Sequence, residues 1–170
     1  ISGLGGSGIG GTIIQNFSLT NSVKPVFVNK NYNLPKFADQ NTLLICCSYS
    51  GNTEETIYVL KQGLERGCNI VCITSGGKLM QMAKGNGLDC IVIPPGFPPR
   101  SCFGYSIIQL FKTFQYFNIL DVDYVAEFTT VDGKKHYDAH FPFVAPDFIR
   151  CSVPEYLMIG VKYLQEDNNT

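Results

Sequence analysis

The chain has 170 residues, the size of one domain, and can bury a large share of its surface in a single core. Apolar residues make up 45% and charged residues 16%, with a net charge of −1 and scattered Lys and Arg. That balance excludes a nucleic-acid footprint, and no apolar run reaches membrane-spanning length.

Short β-rich apolar runs alternate with segments of helical period, which predicts βαβ units and a parallel sheet. The chain opens at Ile1-Ser2-Gly3 without an initiator Met, inside a predicted strand over residues 1–4, so further residues are expected upstream. A helix is predicted from about residue 8 to 17, then a second strand over 25–29 and a polar loop over 30–40. Residues 42–47 form a third strand, apolar after its first residue, as a strand buried on both faces should be. Ile57, Leu60 and Leu64 give helical spacing over 53–66, with Gly67 as the stop. A fourth strand over 69–73, a short helix over 78–84 and a fifth strand over 90–93 follow. Pro94, Pro95, Pro98 and Pro99 stiffen the next loop, since each fixes φ and removes a donor.

Residues 101–120 read as a long aromatic-rich helix, whose apolar face is expected to pack on another domain or subunit. After residue 121 the pattern decays. Residues 156–164 are expected to be helical, and 132–146 show no clear period. The expected organisation is a ligand-binding domain over 1–120, then an extension or the start of a second domain over 121–170.

The seven cysteines are Cys46, Cys47, Cys68, Cys72, Cys90, Cys102 and Cys151. Four of them (Cys46, Cys47, Cys72, Cys90) lie in apolar strand-like runs, where free Cys acts as a small hydrophobe. No C-x-x-C pair and no His at ligand spacing points to zinc. An odd count and a non-secretory start predict a reducing, cytoplasmic setting.

Three loops follow predicted strands, at the edge where open parallel sheets bind ligands. They are Gly3-Leu4-Gly5-Gly6-Ser7-Gly8-Ile9-Gly10-Gly11, Ser48-Tyr49-Ser50-Gly51-Asn52-Thr53-Glu54-Glu55-Thr56, and Thr74-Ser75-Gly76-Gly77. Each sets small hydroxyls and open backbone N–H groups at the start of a helix, an arrangement suited to an anion. Gly3, Gly5 and Gly8 form G-x-G-x-x-G, but Asn29, Lys30 and Asn31 stand where a dinucleotide site needs a carboxylate. A P-loop is excluded as well, because no loop combines the glycine spacing with Lys and Ser or Thr. The ligand expected is therefore a phosphate monoester.

Ser48, Ser50 and Thr53 lie at i, i+2 and i+5 across a turn into a helix, so their hydroxyls can converge on one phosphate. The simpler alternative is that Ser50, Asn52 or Thr53 caps the helix, with Glu55 completing a capping box from Asn52. Glu54 and Glu55 read as complements of the helix dipole rather than as a catalytic base.

The three loop strings, together with Pro98-Pro99-Arg100, resemble the first sugar-isomerase (SIS) domain of bifunctional phosphoglucose/phosphomannose isomerases over residues 1–105. The resemblance implies a three-layer α/β sandwich with a five-stranded parallel sheet in flavodoxin-like order. It implies that Ser48, Ser50 and Thr53 hold the sugar phosphate, that Gly6 and Ser7 line the sugar, and that Arg100 acts at the reacting centre. A guanidinium on a proline-stiffened loop at the ligand edge also suits the developing charge of an enediolate; the alternative for Arg100 is a surface ion pair.

The implied activity interconverts glucose 6-phosphate or mannose 6-phosphate with fructose 6-phosphate, with no cofactor and no metal. It also implies a second SIS domain or subunit, with a homodimer expected, and no nucleic-acid or membrane partner. In that family the proton-transferring Glu and the ring-opening His belong to the second domain. His136 and His140 lie in a stretch that does not align with the family, and its glutamate motif is not seen near Glu127, Glu155 or Glu166. The alternatives are a non-catalytic phosphosugar sensor and an aminosugar-phosphate isomerase.

Overall fold

The computed structural model describes residues 1–99 and 102–120 with their side chains, and beyond these only the backbone of three further strands. The chain forms two compact units, Ile1–Leu120 and Asp121–Thr170. In chain order the first unit holds α1 (Gly5–Asn21), β1 (Leu43–Cys47), α2 (Glu54–Glu65), β2 (Asn69–Thr74), α3 (Gly77–Gly85), β3 (Asp89–Val92) and α4 (Phe103–Tyr116).

The three strands form a parallel sheet in the order β1-β2-β3, with Cys46 opposite Cys72 and Cys72 opposite Cys90. Alternate side chains of β1 and β2 point to opposite faces. Leu44, Cys46, Ile70 and Cys72 line one face, and Ile45, Cys47, Val71 and Ile73 line the other; all are buried. Burial on both faces is why these strands read as unbroken apolar runs. Burial pushes the Cys47 and Cys72 thiols up to about 12, and raises Cys46 as well. These cysteines serve the core as small hydrophobes.

Helices α2 and α3 cover the Leu44 face, where Val59, Leu60, Leu79 and Ala83 join one cluster with Cys46 and Cys72. Gly67 ends α2 with φ 69°. The amide of Cys68 donates to the Gly63 carbonyl at 2.9 Å and that of Gly67 to the Leu64 carbonyl at 3.2 Å, a Schellman closure.

Helix α1 begins at Gly5, three residues before the expected start, so the glycine-rich loop is itself the first helical turn. The segments expected as the first two strands each contribute one parallel bridge. Ser2 bridges Asn29 on one side and Cys46 on the other. The amide of Ser2 donates to the Ile45 carbonyl at 2.8 Å, and Cys47 returns a bond to Ser2 at 2.8 Å.

Helix α4 packs on α1, with Phe17 against Phe111 edge-on at 5.7 Å. A Cβ at Gly10 would lie 3.2 Å from Leu110 Cδ1. Ile107, Leu110, Phe111 and Phe114 are buried by that contact, whereas Tyr116 and Phe117 are exposed. The apolar face of α4 that was expected to need an outside partner is thus covered within its own unit.

In the second unit β4 (Val125–Thr130), β5 (Lys135–Tyr137) and β6 (Leu157–Lys162) form an antiparallel sheet in the order β5-β4-β6. The helix expected over 156–164 is therefore a strand, with Phe128 opposite Ile159 and Glu127 opposite Gly160. Six residues of short apolar run do not separate the two periods, and pairing with a strand some thirty residues earlier decides between them. His136 lies on β5, opposite Phe128. His140, Glu155, Glu166 and Cys151 lie outside the described residues. No helix among the described residues is long and apolar enough to cross a membrane.

Candidate functional site

The carboxyl ends of Ser2, β1 and β2 lead into the three loops singled out above. Helices α1, α2 and α3 all start there, and none of their N-cap residues caps its own helix with a side chain. First turns without a cap from their own N-cap residue turn backbone N–H groups and the positive end of each dipole toward the same edge.

In the second loop, Ser48 Oγ and Thr53 Oγ1 lie 2.8 Å apart. Ser48 is buried at the end of β1, and its Oγ accepts the Gly51 amide at 3.1 Å. Thr53 holds the N-cap position of α2, yet its side chain makes no cap bond and turns instead to Ser48. Ser50 is exposed, and its Oγ accepts the Asn52 amide at 3.2 Å. The hydroxyls of Ser48 and Thr53 therefore meet directly, while Ser50 stands at the open rim of the same turn.

Asn52 does not cap α2 either. Its Nδ2 donates to the Ser50 carbonyl at 3.2 Å, and its Oδ1 accepts the Lys78 amide in the first turn of α3 at 3.1 Å. The second loop is thereby locked to the third. Leu79 N–H donates to the Gly51 carbonyl at 2.8 Å, and Ser75 N–H to the Tyr49 carbonyl at 3.0 Å. The two loops pass so closely that a Cβ on Gly51 would overlap the Gly76 carbonyl, and one on Gly77 the Ser50 carbonyl. Glu54 and Glu55 sit in the first turn of α2, where carboxylates complement the dipole.

Gly6 and Ser7 lie in the first turn of α1, with Ser7 buried. A Cβ on Gly6 would lie 3.7 Å from the Pro99 carbonyl, so the glycine loop borders the proline loop. Lys30 Cε approaches the position of a Gly8 Cβ to 3.5 Å, which brings one cationic stem to the same helix end. Arg100 lies outside the described residues; Pro99, which precedes it in the chain, borders the glycine loop. Sequence reading missed the bracing by Asn52 and the reach of Tyr49, whose hydroxyl contacts the proline loop. A polar-tipped aromatic between two serines was the available signal for Tyr49.

No family model matches the chain. A bifunctional phosphoglucose/phosphomannose isomerase from Caldicellulosiruptor bescii is 41% identical over 146 residues, 84% of this chain and 43% of that protein. One from Thermoplasma acidophilum is 47% identical over 114 residues, 67% of this chain and 34% of that protein. A D-glucosamine-6-phosphate 4-epimerase from Sulfolobus acidocaldarius is 36% identical over 111 residues, 65% of this chain and 35% of that protein. The chain thus spans less than half the length of these curated relatives. Identity of 41–47% over two thirds or more of this chain bears out the resemblance read from its loops. The chain belongs to the family of the bifunctional phosphoglucose/phosphomannose isomerases.

Proposed function

We propose that this chain is the phosphosugar-binding part of an aldose–ketose isomerase that interconverts glucose 6-phosphate or mannose 6-phosphate with fructose 6-phosphate. The observation that carries the reading is the Ser48–Thr53 hydroxyl pair, 2.8 Å apart at the uncapped start of α2 with Ser50 at its rim. Hydroxyls and helix N–H groups together bind a phosphate dianion without needing a cation. Gly6 and Ser7 line the sugar, and Arg100 stabilises the charge that grows on the enediolate oxygens. Ring opening and proton transfer between C2 and C1 proceed by general acid–base catalysis without a metal.

Residues 1–120 form the SIS domain and 121–170 an extension or the start of a further domain. The single bridges of Ser2 to Asn29 and to Cys46 support a five-stranded parallel sheet. Its order is 2-1-3-4-5, the flavodoxin-like one, with helices on both faces. The catalytic Glu and His come from a second SIS domain or from the partner in a homodimer. Six described cysteines, all unpaired, suit the reducing cytoplasm.

Ser50→Ala in the full-length protein is expected to weaken fructose 6-phosphate binding by about 1.5–3 kcal/mol, roughly 10- to 150-fold in Kd. Titration calorimetry measures it, and unchanged affinity rejects the phosphate assignment. A coupled assay for fructose 6-phosphate formation tests the activity. Binding without turnover identifies a sensor instead.

The likeness to the 4-epimerase favours a second reading, in which the same phosphate loop serves epimerisation of a hexosamine phosphate. Incubation with D-glucosamine 6-phosphate, followed by NMR, separates the two.

A further inference from the structure

The proline loop cannot hold itself in place. Of residues 94–99, only Gly96 and Phe97 carry a backbone N–H. The group that meets this loop is the Tyr49 phenol, which reaches it from the phosphate loop. Its O–H donates to the Pro94 carbonyl at 3.1 Å, and its oxygen accepts the Phe97 N–H at 3.1 Å. One hydroxyl thus both donates to the loop and accepts from it.

The other end of Tyr49 is equally fixed. Its carbonyl accepts both the N–H of Ser75 at 3.0 Å and the Ser75 hydroxyl at 2.6 Å. Its chain neighbours are Ser48 and Ser50, two of the three phosphate hydroxyls. One residue therefore joins the phosphate loop to the third loop through its backbone and to the proline loop through its side chain. Phe97, its partner there, precedes Arg100 by three residues in the chain.

We propose that Tyr49 is a positioning residue, whose hydroxyl fixes the segment from Pro94 to Phe97, which leads in the chain to Arg100, relative to the phosphate site. Burial raises the phenol's pKa above its ordinary value, so it keeps its proton and its bond to Pro94 at neutral pH. The kinetic consequence rests on the isomerase reading; the mechanical one rests on the hydrogen bonds alone.

Two measurements on the full-length protein test it. In the wild type, hydrogen exchange at the Phe97 amide should be at least ~10-fold slower than in an unprotected loop. Tyr49→Phe keeps the ring and removes the hydroxyl, and it should abolish that protection. The same variant should lose at least ~10-fold in kcat while its Kd for inorganic phosphate changes less than about threefold. An unprotected Phe97 amide in the wild type overturns the inference without any variant, which covers the case of a variant that fails to fold. Equal losses of kcat and phosphate affinity, or wild-type kcat in Tyr49→Phe, overturn the positioning role. A wild-type protein that turns over no phosphosugar rejects the isomerase reading, and the exchange result then decides the clamp alone.

Discussion

Arg100→Met is expected to lower kcat at least ~10²-fold, the scale for deleting one donor to a developing oxyanion. The charge on the enediolate oxygens appears only on the way to the transition state, so the loss falls on kcat more than on ground-state affinity. Met keeps much of the aliphatic stem, and the loop shape set by Pro98 and Pro99 does not depend on the guanidinium. The measurement is steady-state isomerisation of glucose 6-phosphate by the full-length protein, with fructose 6-phosphate binding followed separately. Full activity in the variant rejects the role given to Arg100 and leaves the Ser48–Thr53 site standing. A loss confined to Kd, with no turnover in the wild type, identifies a sensor.

Gly51→Ala is expected to destabilise the first unit by about 2–5 kcal/mol and to abolish high-affinity phosphosugar binding. Gly51 has φ 67°, in the left-handed region that disfavours any Cβ. A Cβ there would also overlap the Gly76 carbonyl, which is backbone and cannot swing aside. Relieving the overlap means parting the second and third loops, which breaks the bonds from Lys78 N–H to Asn52 and from Leu79 N–H to Gly51. Gly76→Ala is the control. Its φ of 161° is extended and nothing lies within 4 Å of its Cβ position, so it should shift stability by less than about 1 kcal/mol. Denaturant unfolding reads both variants, and equal midpoints for Gly51→Ala and the wild type would refute the account.

The elements that position the site were legible in the residues because each is decided locally. Leu43–Cys47, and Asn69–Thr74 between its polar end residues, are apolar since both of their faces are covered. Ile57 and Leu60 recur on the helical period because one stripe of α2 meets the sheet, and Gly67 ends it with the left-handed turn that glycine adopts freely. The convergence of Ser48 and Thr53 also follows from their spacing across one turn. Where the sequence signal was short, it failed: Leu157–Lys162 is a strand because β4 supplies its hydrogen bonds. The glycine loop joined α1, since its amides bond back within the first turn, as in Gly8 N–H to the Leu4 carbonyl at 3.2 Å.

The sequence by itself determined the parallel α/β class, the three anion-suited loops and the family. Apolar period, glycine conformation and hydroxyl spacing all act within a few residues of one another. Only the tertiary structure decided how the loops hold each other. Asn52, read as a cap for its own helix, caps α3, 26 residues away in sequence. The Tyr49 hydroxyl finds Pro94 and Phe97, 45 and 48 residues on. The aromatic face of α4, read as awaiting a partner, is met by Phe17 and Gly10 of α1. A side chain's hydrogen-bonding capacity is written in its type, but the partner that fills it is chosen by folding, which brings distant backbone within 3 Å.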